Sequence, residues 1–128
     1  RGASKAILAM GCTAFLGREA FETLAEQGTD VDVIVVNGLP IPEAVISQLL
    51  ASYPDGLVTI EDGLIGVPAS GLRGFAGLVQ SAALEAGVPC RHVGITDPRI
   101  APSHGFSETW DHFGITADSL VQAVKSLS

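Results

Sequence analysis

Alternating strand-type and helix-type segments predict an α/β fold for this chain, a three-layer α/β/α sandwich around a mainly parallel sheet. The strand-type segments are short, apolar and rich in β-branched residues, whereas the helix-type segments repeat apolar residues at helical spacing. Gly and Pro residues mark the boundaries between them. With 128 residues, of which 47% are hydrophobic, the chain suits one domain over residues 1–128 with a substantial core.

The central predicted strand covers residues 57–61 and leads into Asp62-Gly63. Three further strands are predicted over residues 6–10, 31–36 and 90–95. The strands over residues 6–10, 31–36 and 57–61 have the apolar, β-branched character of strands that a parallel sheet buries. A doubly wound order puts the first strand between the second and the central one. The switch point of the sheet then lies where the first and central strands end.

Helical spacing predicts helices over residues 14–27, 42–53, 70–86, 107–113 and 117–127, with a polar loop over 96–105. Thr13 and Thr116 are the predicted N-caps of the first and last helices, and Gly28 and Gly87 are predicted helix stops. The apolar positions place Phe21, Val45 and Leu78, among others, on the buried faces.

Open α/β sheets hold ligands or partners at the carboxyl ends of their strands, so the switch point is the candidate site. Its candidate residues, for a ligand or for an interface, are Gly11, Cys12, Thr13, Glu61, Asp62, Gly63, Gly74 and His104.

No pattern in the chain amounts to a complete active site. The glycine-rich run over residues 71–77 has neither dinucleotide nor Walker spacing, so close helix–sheet packing is its better explanation. Glu61 and Asp62 are adjacent on a strand and point to opposite faces, which disfavours an acid–base pair. Asp97, Ser103 and His104 are residue types of a hydrolase triad, but no Gly-x-Ser-x-Gly elbow accompanies them. We therefore assign no catalytic, cofactor-binding or metal-binding residue.

The formal charge of −7 argues against nucleic acid and against an anionic membrane surface as partners. Cys12 and Cys90 lie in no metal-ligand spacing and are expected to be buried free thiols in a reducing, cytoplasmic setting. Because the chain begins at Arg1, we expect a processed product or an excised piece of something longer.

Six segments, taken in order, resemble the carboxyl-terminal domain of the transketolase-like, thiamine-diphosphate-dependent enzymes. This group includes transketolase, deoxyxylulose-phosphate synthase and the beta subunit of 2-oxo acid dehydrogenases. The resemblance spans nearly the whole chain, through residues 5–11, 31–42, 58–63, 71–83, 88–97 and 110–116. The run over residues 64–70 is longer than is usual in the family, and the subfamily stays open.

The resemblance implies a five-stranded mixed sheet whose antiparallel edge strand lies just upstream and ends at Arg1-Gly2. It implies that thiamine diphosphate and its divalent metal bind between two other domains, the pyrophosphate and pyrimidine domains, and that this domain has no catalytic residue. Those two domains, on the same chain or on another, are the expected partners. The expected role is assembly, including homodimer formation, within an enzyme that transfers two-carbon ketol units. The isolated domain is expected to be inactive.

Two alternatives stay open from the sequence. One is an autonomous module that binds a small ligand at the switch point, since the acidic pair and Gly-rich loops converge there. The other is the docking domain of a 2-oxo acid dehydrogenase beta subunit. A large exposed apolar patch would favour either assembly role over the ligand-binding module.

Overall fold

The computed structural model describes residues 3–36, 43–64, 74–95 and 115–127. For Cys12, Glu43, Asp62–Leu64, Gly74, Phe75 and Ile95 it describes the backbone alone. The elements follow in the order β1 (Lys5–Met10), a 3₁₀ turn (Gly11–Thr13), α1 (Ala14–Glu26), β2 (Asp32–Val36), α2 (Glu43–Ser52), β3 (Gly56–Leu64), α3 (Gly74–Ala86), β4 (Cys90–Ile95) and α4 (Ala117–Lys125).

Within the described residues the sheet has four strands, all parallel, in the order β2-β1-β3-β4. The predicted doubly wound arrangement, with the first strand between the second and the central one, is confirmed. The described residues include no fifth strand, and Arg1-Gly2, where the upstream strand was expected to end, lie outside them. The loop predicted over residues 96–105 and the short helix predicted over 107–113 also lie outside them.

Two hydrophobic clusters, one on each face of the sheet, make the three layers. On one face α1 and α4 cover Ile7, Val58 and Ile60, and on the other face α2 and α3 cover Leu8 and Leu57. Because successive residues of a strand alternate between faces, strands that are apolar throughout bury both faces. The predicted α/β/α sandwich is therefore confirmed.

The helix ends follow local chemistry. Thr116 caps α4 as predicted, because its Oγ1 accepts a hydrogen bond of 3.1 Å from the backbone N–H of Ser119. Gly28, with φ of +80°, ends α1 as predicted. Its N–H donates to the Ala25 carbonyl and the N–H of Thr29 donates to the Leu24 carbonyl, which is the Schellman arrangement.

The sequence analysis predicts buried helix faces that are wider than those in the structure. Phe21, Val45 and Leu78 are at least 40% exposed, whereas Leu24, Ile46 and Val79 beside them are buried. A helix that lies on a sheet buries only the stripe that faces the strands, so apolar positions at the margin of the stripe stay at the surface. Apolar side chains are therefore exposed on the outer surfaces of α1, α2 and α3.

Gly56 opens β3 with φ of +136°, and a Cβ atom there would lie 2.8 Å from Cδ1 of the buried Leu127. We expect Gly56→Ala to lower the free energy of unfolding by about 2–3 kcal/mol, since it adds a clash to backbone strain. Gly28→Ala is the matched control. At Gly28 the φ is positive but the space is open, so we expect a loss of about 1 kcal/mol. Chemical denaturation measures the free energy of unfolding of each variant. An equal decrease in the two variants would contradict the expected clash with Leu127.

Candidate functional site

The junction of β1 with α1 brings the first group of candidate residues to the centre of the sheet. β1 ends at Met10, and Gly11–Thr13 make one 3₁₀ turn before α1 begins. Gly11 has φ of +49°, which favours glycine at the exit from the strand. Thr13 is completely buried at the end of this turn.

The prediction that Thr13 caps α1 with its side chain is wrong. Thr13 has helical dihedral angles, and its hydroxyl makes no capping hydrogen bond. The 3₁₀ turn already carries the chain into the helix, so Thr13 lies inside the turned segment and its hydroxyl faces the strands. Its Oγ1 lies 2.8 Å from the Met10 carbonyl oxygen and 3.2 Å from the Ile60 carbonyl oxygen. Because the hydroxyl has a single proton, the two carbonyl groups share this one donor, and the shorter hydrogen bond is to Met10. Thr13 thus joins the end of β1 to β3 at Ile60, the residue before Glu61.

The acidic end of β3 is irregular. Between the pairs Ile60–Val93 and Leu64–Ile95, β3 advances by four residues while β4 advances by two. The extra residues lie in Glu61-Asp62-Gly63, which therefore form a bulge. The strand continues past its predicted end at residue 61 because the ladder resumes at Leu64. A bulge also interrupts the alternation of faces on which the predicted separation of Glu61 from Asp62 depends.

Glu61 is only 7% exposed. It lies in the carboxyl-terminal half of β3, and its side chain is in the interior. Gly11 and Thr13 lie in the turn that follows β1, at the same edge of the sheet. Gly74 begins α3, the side chains of Cys12 and Asp62 are not described, and His104 lies outside the described residues.

A second polar group, which the sequence analysis did not single out, lies between β3, β4 and α3. His92 Nδ1 is 2.7 Å from Thr59 Oγ1, and His92 Nε2 is 2.7 Å from Gln80 Oε1. Since Gln80 Oε1 can only accept, Nε2 carries the proton, and Nδ1 accepts from the Thr59 hydroxyl. Desolvation by burial, with a smaller contribution from the Arg91 charge, lowers the pKa of His92 to about 4. The neutral ring thus serves a structural network.

The thiol of Cys90 is buried and free, as predicted for that residue. Burial raises its pKa to about 12, and the backbone hydrogen bond and charge of Arg91 oppose this shift only in part. The thiolate that would act as a nucleophile or metal ligand is therefore disfavoured at neutral pH. In the described part of the chain, no three or more His, Cys, Asp or Glu side chains come together to hold a metal.

Three open grooves are lined by described residues, and none of the three is lined by Gly11, Thr13 or Glu61. One lies at the amino ends of the strands beside Lys5 and Asp55. A second, of about 850 Å³, lies between α1 and β2, and a third, of about 610 Å³, lies between α2 and α3.

These observations define a class of protein: a doubly wound α/β domain with buried polar side chains, Thr13 and Glu61, near the switch point of its sheet.

No protein-family profile matches the sequence, and no curated protein matches it. Several solved structures match the fold of the chain. A chain described as a split-gene transketolase, an inactive β4 tetramer, superposes with a TM-score of 0.82 at 22% sequence identity, over 99% of this chain and 40% of that one.

A transketolase from Pichia stipitis in complex with sedoheptulose 7-phosphate matches with a TM-score of 0.61 at 18% identity, over 99% of this chain and 17% of that one. The chain therefore has a transketolase C-terminal-like α/β fold, as the resemblance in its sequence implied. It spans less than half the length of either matched chain. No helix among the described residues has the length and apolar character needed to cross a membrane.

The Thr13 hydroxyl is expected to stabilise the β1–β3 junction. Thr13→Val keeps the shape of the side chain but leaves two buried carbonyl groups without this donor, so we expect the free energy of unfolding to fall by about 1–2 kcal/mol. Thr23→Val makes the same chemical change at a half-buried position of α1, where we expect a change within about 0.5 kcal/mol. Urea denaturation compares the two, and a Thr13→Val variant as stable as the original chain would contradict the assignment.

The His92 network predicts a pH dependence. The pKa of His92 is lower in the folded chain than the ordinary value of 6.5, so between pH 6.5 and pH 4 the unfolded chain binds more protons. The stabilisation is complete above pH 6.5 and is lost as the pH falls through this window, by about 2 kcal/mol between pH 7 and pH 5. Denaturation of the original chain and of His92→Gln at both pH values measures this, and an identical pH dependence in the two would refute it.

Proposed function

We propose that this chain is the non-catalytic carboxyl-terminal assembly domain of a thiamine-diphosphate-dependent, transketolase-like enzyme. The observation that carries the proposal is the superposition of nearly the whole chain on part of a split-gene transketolase chain. That chain is described as a β4 tetramer that is inactive, which supports a role in assembly for a domain of this fold. The two matched structures described above are both transketolases, which favours ketol transfer over the dehydrogenase alternative.

The described residues do not fit the cofactor or its metal. They bring together no set of ligands for a divalent cation. At the switch point, Thr13 and Glu61 are buried, so neither side chain lines a surface on which a pyrophosphate could lie. Following the resemblance in the sequence, we propose that thiamine diphosphate and its metal bind in the partner pyrophosphate and pyrimidine domains. There the cofactor supplies the carbanion sink for transfer of two-carbon units, and no step of that chemistry is assigned to this chain.

Two exposed apolar surfaces support an assembly role over the ligand-binding module. Beside the free edge of β2, the groove between α1 and β2 exposes Phe15, Phe21 and Val35. On the opposite side of the sheet, α2 and α3 expose Val45, Leu78 and Leu84. Large apolar side chains gathered at two surfaces indicate contacts with other domains or chains.

The β2 edge also suits the fifth strand that the resemblance implies. Among the described residues β2 pairs with β1 alone, so in this part of the chain its other edge is open to a further strand. Tyr53 closes one part of this groove by donating a hydrogen bond of 2.7 Å to Asp32 Oδ2. Desolvation, together with the hydrogen bond and charge of Asp32, raises the pKa of Tyr53, which keeps it the donor. We place the antiparallel edge strand along this open edge of β2, which leaves Phe15 and Phe21 on α1 for the partner domains.

Reconstitution tests the assembly role. We expect the chain alone to show no ketol transfer, and to bind the thiamine-binding pyrophosphate and pyrimidine domains of the same source in sedimentation experiments. Phe15→Ser and Phe21→Ser remove exposed apolar area and should weaken this binding by about tenfold, while Glu19→Ser on the same helix should leave it unchanged.

Two outcomes would overturn the proposal. One is measurable turnover by the chain without added domains. The other is the absence of any complex with the thiamine-binding domains, at concentrations where both are folded by circular dichroism.

A further inference from the structure

The two outer strands of the described sheet, β2 and β4, differ in the side chains that they carry. The last four residues of β2 are Val or Ile, whose side chains cannot form hydrogen bonds. β4 contains Arg91, which is exposed, and His92, whose ring bonds to Thr59 and Gln80. In a chain with a net charge of −7, β4 thus carries a cationic side chain at the surface.

The hydrogen bonds between β3 and β4 show which carbonyl groups of β4 face outward. The N–H of Leu57 in β3 donates to the Pro89 carbonyl at 3.0 Å, so the Pro89 carbonyl points towards β3. Successive backbone groups of a strand point to opposite edges. The carbonyl and the N–H of Cys90, the next residue, therefore point away from β3. Among the described residues β4 pairs with β3 alone, so this is the side on which a further strand would pair.

The guanidinium of Arg91 lies across this outer edge. Its Nη1 donates to the Cys90 carbonyl at 3.0 Å, and its Nη2 lies 3.5 Å from the carbonyl oxygen of Ser126, the residue after α4. A cation is favoured beside the carboxyl end of a helix, where the last carbonyl groups are exposed. The end of α4 and the first outward carbonyl of β4 therefore hold the same side chain.

We infer that Arg91 closes the β4 edge to pairing with a further strand, whereas the β2 edge has no such side chain. A strand that paired with this part of β4 would need to donate an N–H to the Cys90 carbonyl, where the guanidinium lies. It would also have to displace the guanidinium from the end of α4. Charged side chains on outer strands are a common protection against pairing with other chains. Strand addition to this sheet is thereby directed to β2.

The inference uses contacts within this chain and does not depend on the proposed function. Lys125 offers a matched control for the charge of Arg91, because it is exposed in the last turn of α4 but belongs to the helix and not to the strand. Val121, which is 3% exposed, offers a control for stability. Val121→Ala weakens the packing of α4 without a change on β4.

Hydrogen exchange of single backbone N–H groups, followed by NMR, tests the inference. The N–H groups of Cys90 and His92 face the outer edge of β4, so pairing there would protect them from exchange. We expect Arg91→Thr to open the edge to strands of other copies. Exchange at these two N–H groups should then become about fivefold slower or more as the concentration rises from about 20 µM to about 1 mM.

The original chain, Lys125→Thr and Val121→Ala should show no change with concentration at these two N–H groups, and circular dichroism checks that every variant is folded. Protection that rises with concentration in the original chain would show an open edge and overturn the inference. Exchange in Arg91→Thr that is the same at all concentrations would also overturn it, as would equal protection in either control. Failure of the thiamine-binding domains to bind the chain would count against the proposed function alone.

Discussion

Burial of the two central strands on both faces is the constraint on which the rest of the structure depends. In β3, residues Gly56 to Ile60 are all buried, and Ala6–Ala9 of β1 are nearly as inaccessible. Any polar group in this pair of strands must find its partner inside the protein, because an unmet buried donor or acceptor costs about 1–3 kcal/mol. The Thr13 hydroxyl provides such a partner, since it lies within hydrogen-bond distance of the Met10 carbonyl of β1 and the Ile60 carbonyl of β3.

The Thr59–His92–Gln80 network also provides hydrogen-bond partners for polar groups buried in the sheet. Thr59 lies in the most buried part of β3 and uses the imidazole of the neighbouring strand as its acceptor, while α3 provides Gln80 for the other ring nitrogen. Buried polar networks that are fully satisfied give rigidity to a core. At the switch point, where many α/β proteins hold a ligand, the side chains of Thr13 and Glu61 are buried. An assembly role accords with this, because the exposed apolar side chains lie on the outer surfaces.

Sequence reasoning predicted the elements and the strand order well, since continuous apolar strands and helical spacing are local signals. It failed where the outcome depends on tertiary structure. The bulge at Glu61-Asp62-Gly63 depends on where Leu64 meets Ile95, a pairing between distant residues. The role of Thr13 depends on a single 3₁₀ turn that no local pattern marks. His92 and Gln80 are 12 residues apart and meet only because α3 packs on the sheet. Phe21, Val45 and Leu78 fit the helical spacing but lie beyond the stripe that the sheet covers.

The central claim is that this domain works as part of a larger thiamine-dependent assembly. The most direct measurement is native mass spectrometry of the complex that an antibody against this domain recovers from the source cells, followed by denaturation to weigh each chain. The account predicts that the domain is recovered with pyrophosphate and pyrimidine thiamine-binding domains, either on the same polypeptide or on a partner chain. A chain of 13.2 kDa recovered alone, or only with copies of itself, would contradict it.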